Sequence, residues 1–211
     1  PKAVECIQKE WDKLVEKKAW DMRNPRSKWD VIAEARKSRF KAHFGRLFMI
    51  CVEKGSELPV GSIDRKFKGR LVFQGNNVQD EHKDWAIFND LGSNTASIEG
   101  AKLIDLFGLQ PGHSIETADA DQAYIQATLK NFTVEKERGA DGKRRTIACQ
   151  TWITIPDEFV PAWWRKLGIG NPVVRLDKAL YGHPDAGGFW EQHLVEHLLA
   201  IGFKSAHENW R

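Results

Sequence analysis

The sequence predicts an α+β fold, and two patterns carry that expectation. Val4, Ile7, Trp11, Leu14 and Val15 recur at helical spacing, so residues 3–19 read as an amphipathic helix. In Arg65-Lys66-Phe67-Lys68-Gly69-Arg70-Leu71-Val72-Phe73 the period is two. Phe67, Leu71 and Phe73 then share one face of a strand, and Lys66, Lys68 and Arg70 share the other.

The other elements follow in chain order. Asn24-Pro25-Arg26-Ser27 breaks the first helix, and a second, very basic helix is expected over Trp29 to Ala42, with Arg36, Lys37, Arg39 and Lys41 crowded at its end. Gly45 to Val52 reads as a buried strand. A loop with Gly55, Pro59 and Gly61 joins it to an alternating strand from Ile63 to Gln74, giving a hairpin with an apolar side and a cationic side. Asn76 to Asn94 is polar and irregular. A helix is expected from Ser97 to Phe107, closed by Gly108. After the Pro111-Gly112 turn, Ile115 to Tyr124 reads as a strand carrying Asp119 and Asp121. Asp141-Gly142 lies between the β-prone runs Phe132 to Glu137 and Arg145 to Ile155 and marks a second hairpin. Pro156 to Pro172 reads as loop, Val173 to Asp177 as a short strand. A last helix begins at Ala186 or Gly187 and ends before Gly202.

Composition bounds the function classes. The 211 residues are 41% hydrophobic, 29% charged and 10% aromatic, enough for one large domain or two modest ones. No apolar run approaches the ~18 residues of a membrane span. Pro1 is not followed by a signal-peptide pattern, and a start without Met leads us to expect a segment of a longer chain. Cys6, Cys51 and Cys149 are too few and too far apart for a disulfide framework or a zinc knuckle, which fits a reducing compartment. The net charge of +3 divides unevenly: residues 1–75 hold 18 Lys and Arg against 10 Asp and Glu, a net of +8, and the remainder is −5. A basic first third suits an anionic partner, and an acidic remainder suits a metal or acid site; solvated surface charge is the plain alternative.

Three constellations could carry chemistry. His193-Leu-Val-Glu196-His197 matches the inverted zinc-protease pattern H-x-x-E-H, two imidazoles on one helical face with a carboxylate base. It also fits the solvated stripe of an amphipathic helix. Asp119 and Asp121, at i and i+2 of a strand, face the same way and could hold a hard divalent cation; solvated acids at a strand end are the alternative. The Lys66, Lys68, Arg70 face suits a triphosphate or a nucleic-acid backbone, or is the wet side of a ribbon.

In their order, these pieces resemble the reverse transcriptase of copia-type retrotransposons. Glu10-Trp-Asp-Lys-Leu-Val-Glu-Lys-Lys-Ala-Trp20-Asp is similar to that family's opening helix, and Gly61 to Gly75 to its fingers hairpin. Thr117-Ala-Asp119-Ala-Asp-Gln-Ala-Tyr124-Ile resembles the first catalytic motif, an Asp followed five residues later by an aromatic. Trp152-Ile-Thr-Ile-Pro156-Asp-Glu-Phe159 is similar to the segment that follows. Arg175-Leu-Asp-Lys-Ala-Leu-Tyr181-Gly, with Trp190 and Leu198-Leu-Ala-Ile-Gly202-Phe, resembles the next block.

The resemblance implies a right-hand polymerase with an incomplete palm. Residues 1–84 would be the first part of the fingers, with the basic hairpin at 45–75, and 85–128 the first part of the palm. Residues 129–185 would be the second part of the fingers, with an inserted hairpin near 132–155, and 186–211 a truncated palm helix. It further implies nucleotidyl transfer with two Mg2+ or Mn2+ ions in the complete polymerase, Asp119 being catalytic and a metal ligand. Tyr124 would lie under the sugar of the incoming nucleotide, and Lys68 and Arg70 near its phosphates. Lys66 would contact nucleic acid, and Asp185 would stand where the family has a nucleotide-packing Gln. Implied partners are an RNA or DNA primer–template and a deoxynucleoside triphosphate, with no membrane. An exposed palm face would call for self-association or for completion by the rest of a polyprotein. The implied location is intracellular: cytoplasmic and particle-associated as in the family, with the nucleus an open alternative.

Departures from the family shape the expectation. The Tyr-x-Asp-Asp motif that supplies two further carboxylates is not present through Arg211, so this chain alone is expected not to polymerise. Gly187 and Gly188 stand where the family has Pro and Arg, and a carboxylate at Asp185 would repel a triphosphate. A non-catalytic nucleic-acid-binding remnant is therefore the second reading, and a zinc hydrolase on His193, Glu196 and His197 the third.

Overall fold

Helical spacing at the start of the chain resolves into α1 (Lys2–Glu16), which turns Trp11 and Leu14 inward. Burial of each contributes about 1.5–3 kcal/mol. The computed structural model describes residues 2–38, 40–88, 97–129, 133–138 and 144–204, with side chains described outside 130–146. α1 stops short of the expected residue 19 because Lys18 takes a left-handed conformation, φ 55°. That turn drops Ala19 and Trp20 into the core, where the Ala19 carbonyl accepts hydrogen bonds from the Asp177 and Lys178 amides.

After the short strand β1 (Arg26–Ser27), α2 (Lys28–Ser38) ends four residues before the sequence suggests. Ala42 belongs instead to β2 (Lys41–Lys54), whose first half pairs in parallel with Cys149 to Thr154. The second half of β2 pairs antiparallel with β3 (Lys66–Phe73), from Leu47 opposite Phe73 to Lys54 opposite Lys66. The expected hairpin is therefore present.

α3 (Ile98–Gly108) is capped by the Ser97 hydroxyl, which accepts from the Gly100 amide. The strand expected over Ile115 to Tyr124 does not form. Residues 113–120 are irregular, and a one-turn helix α4 (Ala123–Gln126) follows. Pairing is what makes a strand, and residues 113–120 pair with no described strand; Ile115 packs instead against Gly108 of α3.

β4 (Thr133–Arg138) and β5 (Arg144–Thr154) form the second hairpin, with a register shift between Glu135 and Glu137. Its Asp141-Gly142 tip lies outside the described residues. β5 then runs on as a central strand beside β2. The segment expected as loop over 156–172 holds a 3-10 turn at Asp157–Phe159 and a short helix α5 (Ala162–Lys166), whose Trp164 is buried and donates its indole N–H to the Met22 carbonyl. β6 (Pro172–Arg175) and α6 (Ala186–Ala200) complete the described chain.

The sheet is mixed, in the order β1-β6-β5-β2-β3, with β4 paired to β5. α1 covers one face, where Trp11, Leu14, Leu47, Leu71, Phe73 and Ile153 meet. α2 covers the other face at the opposite end, setting Val31, Ile32 and Ala35 on Phe44 and Trp152. The protein is thus α+β, as expected. No helix among the described residues is long and apolar enough to cross a membrane.

Candidate nucleic-acid interface

The β2–β3 hairpin is apolar on one face and cationic on the other. On the apolar face Gly69 has no side chain because the backbone of Cys6 and Ile7 in α1 lies on it: a β-carbon there would stand 3.0 Å from the Cys6 carbonyl oxygen. Among the described residues no helix lies over the opposite face. It presents Arg46, Phe48, Ile50, Val52 and Lys54 on β2, and Lys66, Lys68 and Arg70 on β3, all exposed.

No carboxylate stands on that face of either strand, and Lys54 pairs directly opposite Lys66. Like charges opposed across a ladder cost stability. Among the described residues Lys54, Lys66, Lys68 and Arg70 form no ion pair, whereas Arg65 on the other face is held by Glu53 at 2.9 Å. A cationic column beside exposed apolar side chains is the pattern that meets phosphates with one column and flat bases with the other.

At the inner end of the column the Arg70 guanidinium carbon lies 5.7 Å from the centroid of the Tyr181 ring. Tyr181 in turn meets Tyr124 edge-on, centroids 4.9 Å apart. The Phe73 amide donates to the Tyr181 carbonyl at 2.7 Å, so the Leu180-Tyr181-Gly182 segment is bound to the end of β3. Two positions named from the sequence, Arg70 and Tyr124, are thereby brought to one ring.

Asp119 and Asp121 are exposed in the irregular stretch before α4, and Asp121 is 3.5 Å from the Gln122 amide nitrogen. Among the described residues no three His, Cys, Asp or Glu side chains come together in a way that could hold a metal ion. On α6 the His193 and His197 rings are 5.9 Å apart, and Glu196 accepts a hydrogen bond from Gln192.

Asp185 is at the head of α6 with 0% exposure, turned away from solvent. Its amide donates to His183 Nδ1, which places the proton on Nε2, 3.3 Å from the Thr151 hydroxyl. His43 lies beside Thr151 in the parallel register, and Phe88 packs edge-on against both imidazoles. Burial holds His183 down to about 3 and His43 to about 4, so both rings are neutral. Cys149, close by, is buried; that burial, with the Glu81 and Asp185 carboxylates, pushes its thiol well up and leaves it inert.

Sequence reasoning did not single out Tyr181, Arg46 or this imidazole pair as site features. For Tyr181 the available signal was Gly182, whose φ of 85° marks a chain reversal that needs glycine. No family model, curated protein or solved structure matches the chain.

Proposed function

We propose that this chain is the fingers and first palm portion of a copia-type RNA-directed DNA polymerase, and that the open face of the β2–β3 hairpin is its surface for primer–template. The observation that carries the reading is the unneutralised column Lys54, Lys66, Lys68 and Arg70, ending on Tyr181 and Tyr124. A structural ribbon gains nothing from opposed lysines, whereas a phosphate backbone supplies their missing counter-charge. In this reading Asp119 and its Mg2+ or Mn2+ act only in the complete polymerase, where further carboxylates join it.

The second reading is a nucleic-acid-binding module without catalysis. It draws on the same exposed Lys66, Lys68 and Arg70 face and needs no carboxylate centre.

Binding of an RNA/DNA primer–template to the 211-residue chain, measured against salt, tests the shared part. The combined variant Lys66→Gln, Lys68→Gln, Arg70→Gln should weaken binding roughly tenfold or more and lower the log–log salt slope by about 3, near 0.9 per lost phosphate contact. An unchanged slope would overturn both readings. Primer extension with Mg2+ or Mn2+ separates them from an active polymerase: none is expected, and extension that vanishes in Asp119→Ala would show that this chain is catalytic by itself.

A further inference from the structure

A second cationic site adjoins the inner end of the hairpin's open face, with Arg46 common to both, and lies apart from the Lys54, Lys66, Lys68, Arg70 column. A cleft of about 510 Å3 is lined by residues of α2, β2 and the segments around 77–79, 154–160 and 171–172. That volume is in the range of small-molecule sites. Lys28 enters it partly buried, its ammonium 4.9 Å from the centroid of the Phe44 ring, and Arg46 lines it from β2. Lys83, its ammonium 5.2 Å from the Trp29 ring centroid, stands beside them.

The Phe44 and Trp29 rings account for part of the placement of Lys28 and Lys83, but not for three cations gathered at one cleft. Burial, then the nearby Arg46 and Lys83, hold the Lys28 ammonium below its ordinary range. Lys28 also occupies the first turn of α2, where the helix dipole disfavours positive charge. None of the three makes an ion pair among the described residues. Lys28 and Arg46 against Asp157, the one carboxylate among the described lining residues, leave the lining with a net charge near +1, and Lys83 adds its charge from just outside it. The rest of the wall offers the amides of Asn77, Gln79 and Asn171, the Thr154 hydroxyl and the exposed Trp29 ring.

We propose that this cleft binds a diphosphate group, with Lys28, Arg46 and Lys83 neutralising its charge. A diphosphate carries enough anionic oxygens for all three cations, and forked guanidinium and ammonium donors are the groups that hold phosphate oxygens. A nucleoside diphosphate would add a base for Trp29 and the amides; free diphosphate would use the cations alone. This site does not depend on the polymerase reading.

Titration calorimetry of the 211-residue chain at low salt with inorganic diphosphate, adenosine diphosphate and adenosine tests it. Both phosphates should bind and adenosine should not. Tighter binding of adenosine diphosphate identifies a nucleotide site, and equal affinities identify free diphosphate as the ligand. Arg46→Gln and Lys83→Gln, both at exposed positions, should each weaken binding about tenfold, and Lys28→Gln at least as much. The Lys66→Gln, Lys68→Gln, Arg70→Gln variant should leave it within twofold. No binding of either phosphate, binding of adenosine alone, or equal loss in the hairpin variant would each overturn the proposal. That last variant also separates the two surfaces, since failure of the primer–template reading leaves this titration untouched.

Discussion

Gly182 lies against the main-chain carbonyl of Phe73 with a φ of 85°, and a β-carbon on it would run into that oxygen. The contact fixes the chain reversal that carries Tyr181 to Arg70. Gly182→Ala would meet both the left-handed backbone penalty, about 1–2 kcal/mol, and an overpacking cost of about 1–3 kcal/mol. We expect a loss of about 2–4 kcal/mol in urea unfolding, where a change below 0.5 kcal/mol would show that the loop moves freely off β3. Nucleic-acid affinity should fall with it even though no charge is removed.

The neutral imidazoles of His43 and His183 make stability depend on pH. Both groups titrate lower in the folded protein, at about 4 and about 3, than the ordinary imidazole value of 6.5. Between those limits the unfolded chain binds more protons, so stability is fully present above pH 6.5 and is lost as the pH falls. The groups around His43 do not rescue the charge: Glu81 and Asp80 favour its protonation, but burial, joined by Lys41, outweighs both. Folding free energy should fall by roughly 2–3 kcal/mol per pH unit around pH 5. His43→Gln should cut that slope by about half in denaturant titrations at several pH values. A slope equal to that of the parent would mean that His43 is already protonated in the folded state.

Elements with a strong local period were legible in the sequence, and those decided by distant partners were not. The two-residue alternation of Lys66 to Phe73 is a property of one segment, and β3 has the expected faces. The run Ile115 to Tyr124 has the composition of a strand, but pairing decides whether it becomes one, and no described strand runs beside it. The end of α2 fell early for the same reason: Ala42 and His43 are drawn into a parallel ladder with Gln150 and Thr151, more than a hundred residues on. Likewise Arg70 was visible as a charge, whereas its seat on Tyr181 depends on a chain reversal that only the fold supplies. Burial of Asp185 was illegible because Asp is rarely inside.

Cys6 closes an exposed sheet edge. β3 is an edge strand, and the Cys6 thiol donates to the Phe67 carbonyl at 3.1 Å while its sulfur accepts from the Gly69 amide at 2.9 Å. A side chain of α1 therefore covers two main-chain groups that would otherwise be open to pairing with another chain. Cys6→Ala should cost about 1 kcal/mol, a typical net hydrogen-bond contribution, while Cys6→Ser keeps a donor and an acceptor and should cost less. Thermal unfolding of the two variants checks this. Equal losses would assign the role of Cys6 to packing rather than to hydrogen bonding.

α3 carries apolar side chains that nothing described in the structure covers. Ile98, Leu103, Ile104, Leu106 and Phe107 are between 59% and 69% exposed, and Leu199, Ile201 and Phe203 at the end of α6 are exposed as well. An apolar surface of this extent on one helix is larger than isolated surface leucines require, and it lowers the free energy of any contact that removes it from water. With no other protein present, a second copy is the available cover. Sedimentation velocity should therefore show mass-action self-association that increases with concentration. Leu103→Lys with Phe107→Glu should move it toward monomer without lowering the unfolding midpoint, since neither side chain contributes to the described core. Parent protein that remains monomeric through the hundred-micromolar range would show that this face is not sticky enough to pair alone. A double variant that unfolds would show instead that α3 packs inward in solution.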